Sequence, residues 1–424
     1  MRKIAVSKIA VSKQLPFADY ALENLGPCLR LVDAEQLLPT LHQAMPGWPF
    51  VPCENQEVAP EISVWRHPDG FWQEAPALPE GMLLDTPTGT ACSVIADVAG
   101  AYLHKHPELV GLHCGSVEIN GQLVIFPDAH RAGKSTLTAA FAAAGYRVFG
   151  DDVLAVTHSG QGIALGIAPR LRLPLPTQLA PKFQDFVASH LGPHDHRYGY
   201  LALNEQQLAS HGTQCPIGGI LLFDRDETLT DPQLTALQPG EGLWQLLQQN
   251  FAEHESDQAL IQRFLPMLQG VPCFLLRYRE AYEAALWVGR QWVGRQRFDI
   301  ARGDQQRSRN GSPRIEKPYV ALCAKRQLSL DAVAQQWVAS AAAHEFPLGD
   351  ELFIIAKEGG TIHRLNMTGR AVWALLKHEP IAQEEISETL LTFFEGVDQQ
   401  RVQQDVGYLL GQLASEGLIQ PVDP

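Results

Sequence analysis

The residues of this sequence that are best suited to chemistry lie in one string, PDAHRAGKST, at positions 127–136. A glycine, a lysine and a serine between an apolar strand and a helix form the second half of a phosphate-binding loop. Gly133 lets the backbone close on phosphates, Lys134 reaches the β- and γ-phosphates, and Ser135 offers a hydroxyl to Mg²⁺. The amides at the start of the following helix favour the same polyanion. We therefore predict that ATP and Mg²⁺ bind at this loop, at Ala129, His130, Arg131, Ala132, Gly133, Lys134, Ser135 and Thr136.

The neighbouring sequence decides whether this short match has meaning. Average composition places a bare GKS or GKT triplet in roughly one chain in five of this length. The first glycine of the full GxxxxGK[ST] pattern is replaced here by Asp128. However, the apolar run QLVIF precedes the loop, an alanine-rich helical run follows it to Gly145, and a second strand-like run, YRVFG, ends in two acids. That order of elements favours nucleotide binding.

The two acids, Asp151 and Asp152, stand at the end of a strand, where a phosphate-loop protein holds its magnesium. One would coordinate Mg²⁺, directly or through water, and the other would accept the proton of an attacking hydroxyl. Adjacent carboxylates repel each other unless a cation lies between them, which favours a metal over a solvated turn. The metal candidates are therefore Ser135, Asp151 and Asp152.

Three further residues could act on the same phosphates. His113 ends the strand before the loop, although a lone histidine is as often a structural residue. Arg170 and Arg172, in APRLRLPLP, are either surface charges or groups that stabilise the charge on a transferring phosphate. The catalytic candidates are His113, Lys134, Asp151, Asp152, Arg170 and Arg172.

The run from His113 to Asp152 resembles the catalytic core of the bacterial HPr kinase/phosphorylase family. The resemblance is carried by His-Cys-Gly at 113–115, Ala-Gly-Lys-Ser at 132–135, Gly-Tyr-Arg at 145–147 and Gly-Asp-Asp at 150–152. It implies a P-loop kinase core of the HPr kinase / PEP carboxykinase type, with His113 and Lys134 active and Ser135 on Mg²⁺. The acid pair would supply a metal-side acid and the catalytic base, for which Asp152 is favoured. The family's second signature carries a magnesium-binding glutamate, and the string APRLRLPLP, at its rough place here, contains no acid.

The end of the chain is similar to the PqqD type of domain. GTIHRLNMTGRAVWALL and the later DVGYLLGQLASEGLIQ carry this resemblance. It implies a winged-helix-like α+β unit with a three-stranded sheet and three helices. It also implies that the leader of a ribosomally made precursor peptide adds a strand at the sheet edge. The apolar residues Leu365, Val372, Trp373 and Leu376 fit a core better than a peptide groove.

Composition shifts divide the chain into four parts. We predict an N-terminal α+β region at 1–105, a kinase-like domain at 106–297, a linker and helix at 298–345, and a PqqD-like domain at 346–424. The linker prediction rests on the polar, Gly-, Ser- and Arg-rich string at 298–318. The overall class expected is α/β.

Short-range signals predict several elements within these parts. Asp69-Gly70 and Asn120-Gly121 each predict a hairpin turn between alternating strands. Residues 90–104 read as a helix, whereas 217–223 and 272–278 read as buried strands. In the last part, Gly-Gly at 359–360 predicts a turn and three helical runs follow it.

Composition limits the partners. A formal charge of −14 argues against nucleic acid and against an anionic membrane surface, and no apolar run is long enough for a membrane span. The seven cysteines include no CxxC pair, which is typical of a reducing compartment, so we expect a cytoplasmic protein. The sequence leaves a homo-oligomer open.

The favoured hypothesis is an ATP-dependent kinase that phosphorylates a serine or threonine of a precursor peptide. A kinase of a small metabolite or carrier protein is the second reading. A nucleotide-binding peptide chaperone without catalysis is the third, and the missing loop glycine and glutamate favour it slightly.

Overall fold

The computed structural model divides the chain into two compact units, Met1–Gly294 and Arg295–Pro424. It describes residues 15–127, 133–252, 255–293, 335–340, 343–356, 361–393 and 397–422. Both units combine helices with sheets, which confirms the mixed α/β class. Within these ranges no helix has both the length and the apolarity that crossing a bilayer requires. The polar string predicted as a linker, 298–318, lies outside the described residues.

The first unit begins with a six-stranded sheet in the order β3-β1-β2-β4-β5-β6. Its strands β4 and β5 pair antiparallel with His67 opposite Gly70, which confirms the hairpin predicted there. Thr86 caps the long helix α2 by accepting a hydrogen bond from the Gly89 N–H, and Pro87 occupies its first turn. The elements are β1 (Phe17–Leu22), β2 (Gly26–Val32), α1 (Leu38–Ala44), β3 (Val51–Cys53), β4 (Ile62–His67), β5 (Gly70–Ala75), β6 (Leu78–Leu84) and α2 (Pro87–Lys105).

The rest of the first unit forms a nine-stranded sheet flanked by helices and a separate three-stranded sheet in the order β13-β15-β14. Seven strands follow the order β10-β8-β9-β16-β12-β11-β7, and β18 and β17 extend the sheet from β16. The elements are β7 (Val110–Leu112), β8 (Gly115–Ile119), β9 (Gln122–Phe126), α3 (Lys134–Ala143), β10 (Arg147–Gly150), β11 (Leu154–Val156), β12 (Gln161–Ile163), β13 (Arg170–Arg172), α4 (Pro181–His190), β14 (Leu191–His194), β15 (Tyr198–Leu201), β16 (Gln214–Arg225), β17 (Gln233–Leu237), α5 (Pro239–Gln248), α6 (Asp257–Leu268), β18 (Cys273–Tyr278) and α7 (Ala281–Val293).

Three of these strands run parallel and end at one edge. β9 pairs parallel with β16, and β16 pairs parallel with β18, so the strands predicted at 217–223 and 272–278 are confirmed. The hairpin predicted at Asn120-Gly121 is also confirmed, since Ile119 faces Gln122 and both turn residues have positive φ. The carboxyl edge of parallel strands is where α/β proteins bind ligands.

Two very short connections force the nine-stranded sheet to curl. β7 ends the strand order, yet only His113 and Cys114 join it to β8, beside the opposite end. Three residues, 151–153, likewise join β10 to β11. Such links span only about 11–14 Å when fully extended. The two ends of the sheet therefore meet at these residues, which we call the seam (residues 113–114 and 151–153).

The described residues of the second unit form two three-stranded sheets, β23-β19-β24 and β20-β21-β22, and three helices. The elements are β19 (Gln336–Ala339), β20 (Ala343–Leu348), β21 (Glu351–Ala356), β22 (His363–Leu365), α8 (Met367–His378), β23 (Ile381–Ala382), α9 (Gln383–Phe393), α10 (Gln399–Ser415) and β24 (Ile419–Val422). Leu365, Val372, Trp373 and Leu376 lie in its buried core, which confirms their assignment to the core.

The second unit differs from the expected boundary at its start. β19 pairs with β24 and β23, and β20 begins at Ala343, so residues assigned to the linker take part in its sheets. Strand pairing between distant residues of this kind leaves no local signal in the sequence. The turn predicted at 359–360 lies outside the described residues, and the winged-helix comparison stays a prediction.

Candidate active site

The phosphate loop leads from strand β9 into helix α3. Gly133 stands at the N-cap of α3 with φ +107°, a conformation that favours glycine, and Lys134 begins the helix. The Lys134 side chain is buried, and Ser135 and Thr136 are half-buried. The first amides of any helix have no acceptor within the helix and so can bind an anion. The predicted contacts Ala129, His130, Arg131 and Ala132 lie outside the described residues.

The seam brings the predicted histidine and acids together. Leu112 in β7 pairs with Leu154 in β11, and Ser116 in β8 pairs with Gly150 in β10. The residues between these two pairings therefore face each other across the seam. His113 Nε2 lies 3.7 Å from Asp152 Oδ1.

Asp151 is the buried acid of the pair, with 4 % of its surface exposed. Its Oδ2 accepts a hydrogen bond from the Arg170 backbone N–H at 3.1 Å. Burial is the largest cause that raises the pKa of Asp151 to about 7, and the negative charge of Asp152 is the second. The hydrogen bonds from the Arg170 amide and the Ser135 hydroxyl lower the pKa but do not outweigh these two causes. The Oδ1 atom is buried and makes no hydrogen bond of ordinary geometry in the described part of the chain.

Asp152 is the more exposed acid, with 40 % of its side-chain surface accessible. Its Oδ2 lies 3.0 Å from an Arg170 guanidinium nitrogen. Burial would raise the pKa of Asp152, but the contact with His113 and the positive charges of Arg170 and Lys134 outweigh it and leave the pKa below its ordinary value. Two adjacent carboxyls with pKa values shifted apart can divide an acid and a base role between them.

The two predicted arginines are placed differently. Arg170 contacts both acids, through its backbone N–H and its guanidinium, and the guanidinium carbon lies 4.9 Å from the centre of the Tyr198 ring. Arg172 follows on the same face of β13 but is exposed. No described contact joins Arg172 to Asp151, Asp152 or His113. The structure thus gathers His113, Lys134, Ser135, Asp151, Asp152 and Arg170.

Sequence reasoning missed two groups of residues near the site. Phe223 and Tyr278, near the ends of β16 and β18, come within about 4 Å of where a side chain on Gly133 would lie. Both end apolar runs, so the convergence of parallel strand ends could have indicated them. Cys92 in α2 accepts a hydrogen bond from the Tyr200 hydroxyl, and both lie beside Arg170. No local signal connects α2 to this site.

The ligand types fit magnesium better than zinc. Among the described residues, no cluster of three or more His, Cys, Asp or Glu could hold a metal ion. Magnesium instead uses one or two carboxylates and completes its shell with water and substrate phosphates. The unpartnered, buried Oδ1 of Asp151, with the Ser135 hydroxyl beside that carboxyl, matches this requirement.

A comparison with protein families places the end of the chain. Residues 351–419 match the family model for Coenzyme PQQ synthesis protein D (PqqD). The second unit contains a PqqD-like domain. This confirms the resemblance read from its sequence, and the matched residues include β21, β22, α8, α9 and α10.

Two solved structures are also similar to parts of the chain. TbiB1 in complex with the TbiA(beta) leader peptide is 25 % identical, over 20 % of this chain and 99 % of that chain, with a TM-score of 0.19. The Hpr(Ser) kinase/phosphatase from Coxiella burnetii is 13 % identical, over 43 % of this chain and 94 % of that chain, with a TM-score of 0.23. No curated protein matches the chain.

Proposed function

We propose that this protein is an ATP-dependent kinase that phosphorylates a serine or threonine of a ribosomal precursor peptide held by its PqqD-like domain. The observation that carries the proposal is the convergence of Ser135, Asp151, Asp152 and Arg170 beside the first turn of α3. Phosphoryl transfer needs positioning and charge stabilisation more than covalent chemistry, and this set supplies both.

The nucleotide would bind through the start of α3. Gly133 supplies the left-handed turn, the first amides of the helix point at the phosphates, and Lys134 neutralises their charge. The Lys134 charge already acts on Asp152, which indicates that its ammonium group is close to the acids. The β- and γ-phosphates would therefore lie between α3 and the seam.

Magnesium would be held by Ser135 and Asp151. The buried Oδ1 of Asp151 has no hydrogen-bond partner among the described residues, and ionisation of this carboxyl becomes favourable once a divalent charge is near. When bound, the metal would supply positive charge that neutralises the charge developing on the phosphates. The pKa of about 7 means that Asp151 must give up a proton at neutral pH to take this role.

Asp152 is the better candidate for the proton acceptor. It is ionised and accessible, whereas Asp151 is buried. The acceptor hydroxyl oxygen would form a bond to the γ-phosphorus while the bond to the β–γ bridging oxygen breaks. The hydroxyl proton would pass to Asp152, and ADP would leave. Arg170 and His113 flank Asp152, so they can stabilise charge on the transferring group.

The PqqD-like domain would supply the peptide. The resemblance implies that a leader segment adds a strand to a sheet edge, and main-chain hydrogen bonds of this kind bind many sequences with moderate affinity. A tethered leader raises the local concentration of the core peptide at the kinase site. With this arrangement, the kinase site could bind its acceptor weakly, because binding of the leader would select the peptide.

Phosphate transfer to a peptide can be tested directly. The full chain would be incubated with Mg²⁺, γ-labelled ATP and the precursor peptide encoded nearest its gene, alongside leader-free core peptide and a panel of small polyols. We expect label on the full-length peptide, less on the core peptide alone, and none on polyols. Label found only on polyols, or only on an added carrier protein, would instead support a kinase of a small metabolite or carrier protein.

The non-catalytic reading has its own test. It rests on Asp128 in place of the first loop glycine and on the missing glutamate. Calorimetry would measure Mg²⁺–ATP binding to the chain and to the double variant Asp151→Asn, Asp152→Asn. If the wild-type chain binds ATP yet transfers no phosphate to peptide, polyol, carrier protein or water, the chaperone reading is preferred. Loss of transfer in the variant with ATP binding retained supports the kinase.

A further inference from the structure

The three residues after helix α5 are attached to strand β7 beside the candidate site. The Gln249 carbonyl accepts a hydrogen bond from the His113 N–H at 2.7 Å, and the Phe251 N–H donates to the Gly111 carbonyl at 2.9 Å. Between them Leu112 and Asn250 form an antiparallel bridge. The backbone of this segment, 249–251, is therefore fixed against strand β7 and against His113, the residue that follows it.

The side chain of Gln249 makes a second contact with the same histidine. Its Oε1 lies 3.1 Å from His113 Nδ1. On the other side of the ring, Nε2 lies 3.7 Å from Asp152 Oδ1. An imidazole held at one nitrogen has little freedom to rotate about its last torsion, so the direction of the other nitrogen is set as well. Gln249 thus controls where His113 Nε2 points.

The backbone contacts already account for the attachment of this segment. The main-chain hydrogen bonds of His113 and Phe251 are enough to hold the segment in place. They do not depend on which side chain stands at position 249. The side-chain bond adds only the orientation of the ring. The adjacent Gln248 has the same side chain but is exposed at the end of α5, which makes it a matched control.

We propose that Gln249 is a positioning residue that holds His113 with Nε2 facing Asp152 and the acceptor hydroxyl. This rests on the proposed kinase function. Gln249 touches neither acid in any described contact, so it would act through the histidine. The side-chain oxygen Oε1 can only accept, so Nδ1 carries a proton in this contact and Nε2 is the nitrogen turned toward Asp152 and the reacting groups.

The test uses Gln249→Leu, which removes the acceptor atom, Gln249→Glu, which keeps an oxygen, and Gln248→Leu as the control. Kinase assays would measure kcat and the KM values for ATP and peptide. We expect Gln249→Leu to lower kcat about tenfold, as for loss of one hydrogen bond, with the KM for ATP unchanged. Gln249→Glu should recover most of the loss, and Gln248→Leu should equal the wild type.

A second measurement keeps the test independent of activity. In ¹⁵N-histidine-labelled full chain, the His113 ring resonances, assigned with a His113→Asn variant, report which nitrogen carries the proton. We expect Gln249→Leu to shift the Nδ1 resonance and Gln248→Leu to leave it unchanged. Unaltered His113 resonances in Gln249→Leu, or an unaltered kcat, would overturn the proposal. A wild-type chain without phosphoryl transfer would refute the kinase function, while the resonances still decide the role of Gln249.

Discussion

Replacing Arg170 by alanine separates two contacts that this residue makes with the paired acids. The backbone N–H that donates to Asp151 at 3.1 Å survives the substitution, whereas the guanidinium bond to Asp152 at 3.0 Å is lost. The contact of the guanidinium with the Tyr198 ring is lost too. The variant therefore tests the positive charge beside Asp152 while leaving the position of Asp151 nearly unchanged.

The structure gives different magnitudes for stability and for rate. The Arg170 and Asp152 side chains are 28 % and 40 % exposed, so solvent screens their ion pair. With the lost contact to the Tyr198 ring, we expect the free energy of unfolding to fall by only about 1–2 kcal/mol. A donor aimed at charge that develops during transfer contributes much more, and its removal lowers kcat by about 10²–10³-fold.

Steady-state kinetics with Mg²⁺–ATP and peptide, together with urea unfolding, would measure both effects. The comparison variant is Arg172→Ala, since Arg172 is an exposed arginine on the same face of the same strand. We expect it to keep both the rate and the stability. A fall in kcat of less than tenfold for Arg170→Ala, or equal losses in the two variants, would refute this reasoning.

Three other predictions follow from the same geometry. In Gly133→Ala the new Cβ meets only ordinary contacts at 3.8 and 3.9 Å, so the cost is backbone strain of about 1–3 kcal/mol at the positive φ. The alanine loop should relieve this strain by leaving the conformation that closes on the phosphates, which should weaken ATP binding about 5- to 150-fold by calorimetry; unchanged affinity would contradict a strained loop. A proton competes with Mg²⁺ at Asp151, because the pKa of this carboxyl is raised to about 7. The affinity for Mg²⁺–ATP should therefore increase as the pH rises from 6 to 8 and then level off. The Asp151→Asn variant should bind Mg²⁺–ATP weakly and show no such increase. Trp373→Ala in the core of the PqqD-like domain should destabilise that domain by about 3–5 kcal/mol and abolish peptide binding. ATP affinity should be retained, and its loss would argue against independent domains.

Local signals in the sequence predicted the elements well where a few adjacent residues decide the backbone. The Asn120-Gly121 hairpin depends on two residues that tolerate positive φ, and both have it. Helix α8, Met367–His378, follows an Asn366 cap whose side chain accepts a hydrogen bond from the Gly369 N–H. Such features need no knowledge of the remainder of the chain.

The relative roles of neighbouring residues could not be read in the same way. Asp151 and Asp152 are equivalent in sequence, but burial raises the pKa of Asp151, whereas His113, Arg170 and Lys134 lower the pKa of Asp152. Arg170 and Arg172 share a strand face, and only the contacts with distant residues distinguish them. Gln249 is far from His113 in the chain, so no spacing indicates that the two residues touch.

The way the sheet closes on itself has a consequence for how this protein can change. Gly162 in β12 is packed so tightly that an added methyl group would collide with Leu123 in β9 and crowd Leu154 in β11. Enlarging that glycine would push the Leu123 side chain away from β12 and disturb the packing between β9 and β11, whose neighbours β8 and β7 flank the seam. Variants with altered turnover should therefore arise deep in the sheet interior, at positions that contact neither nucleotide nor peptide.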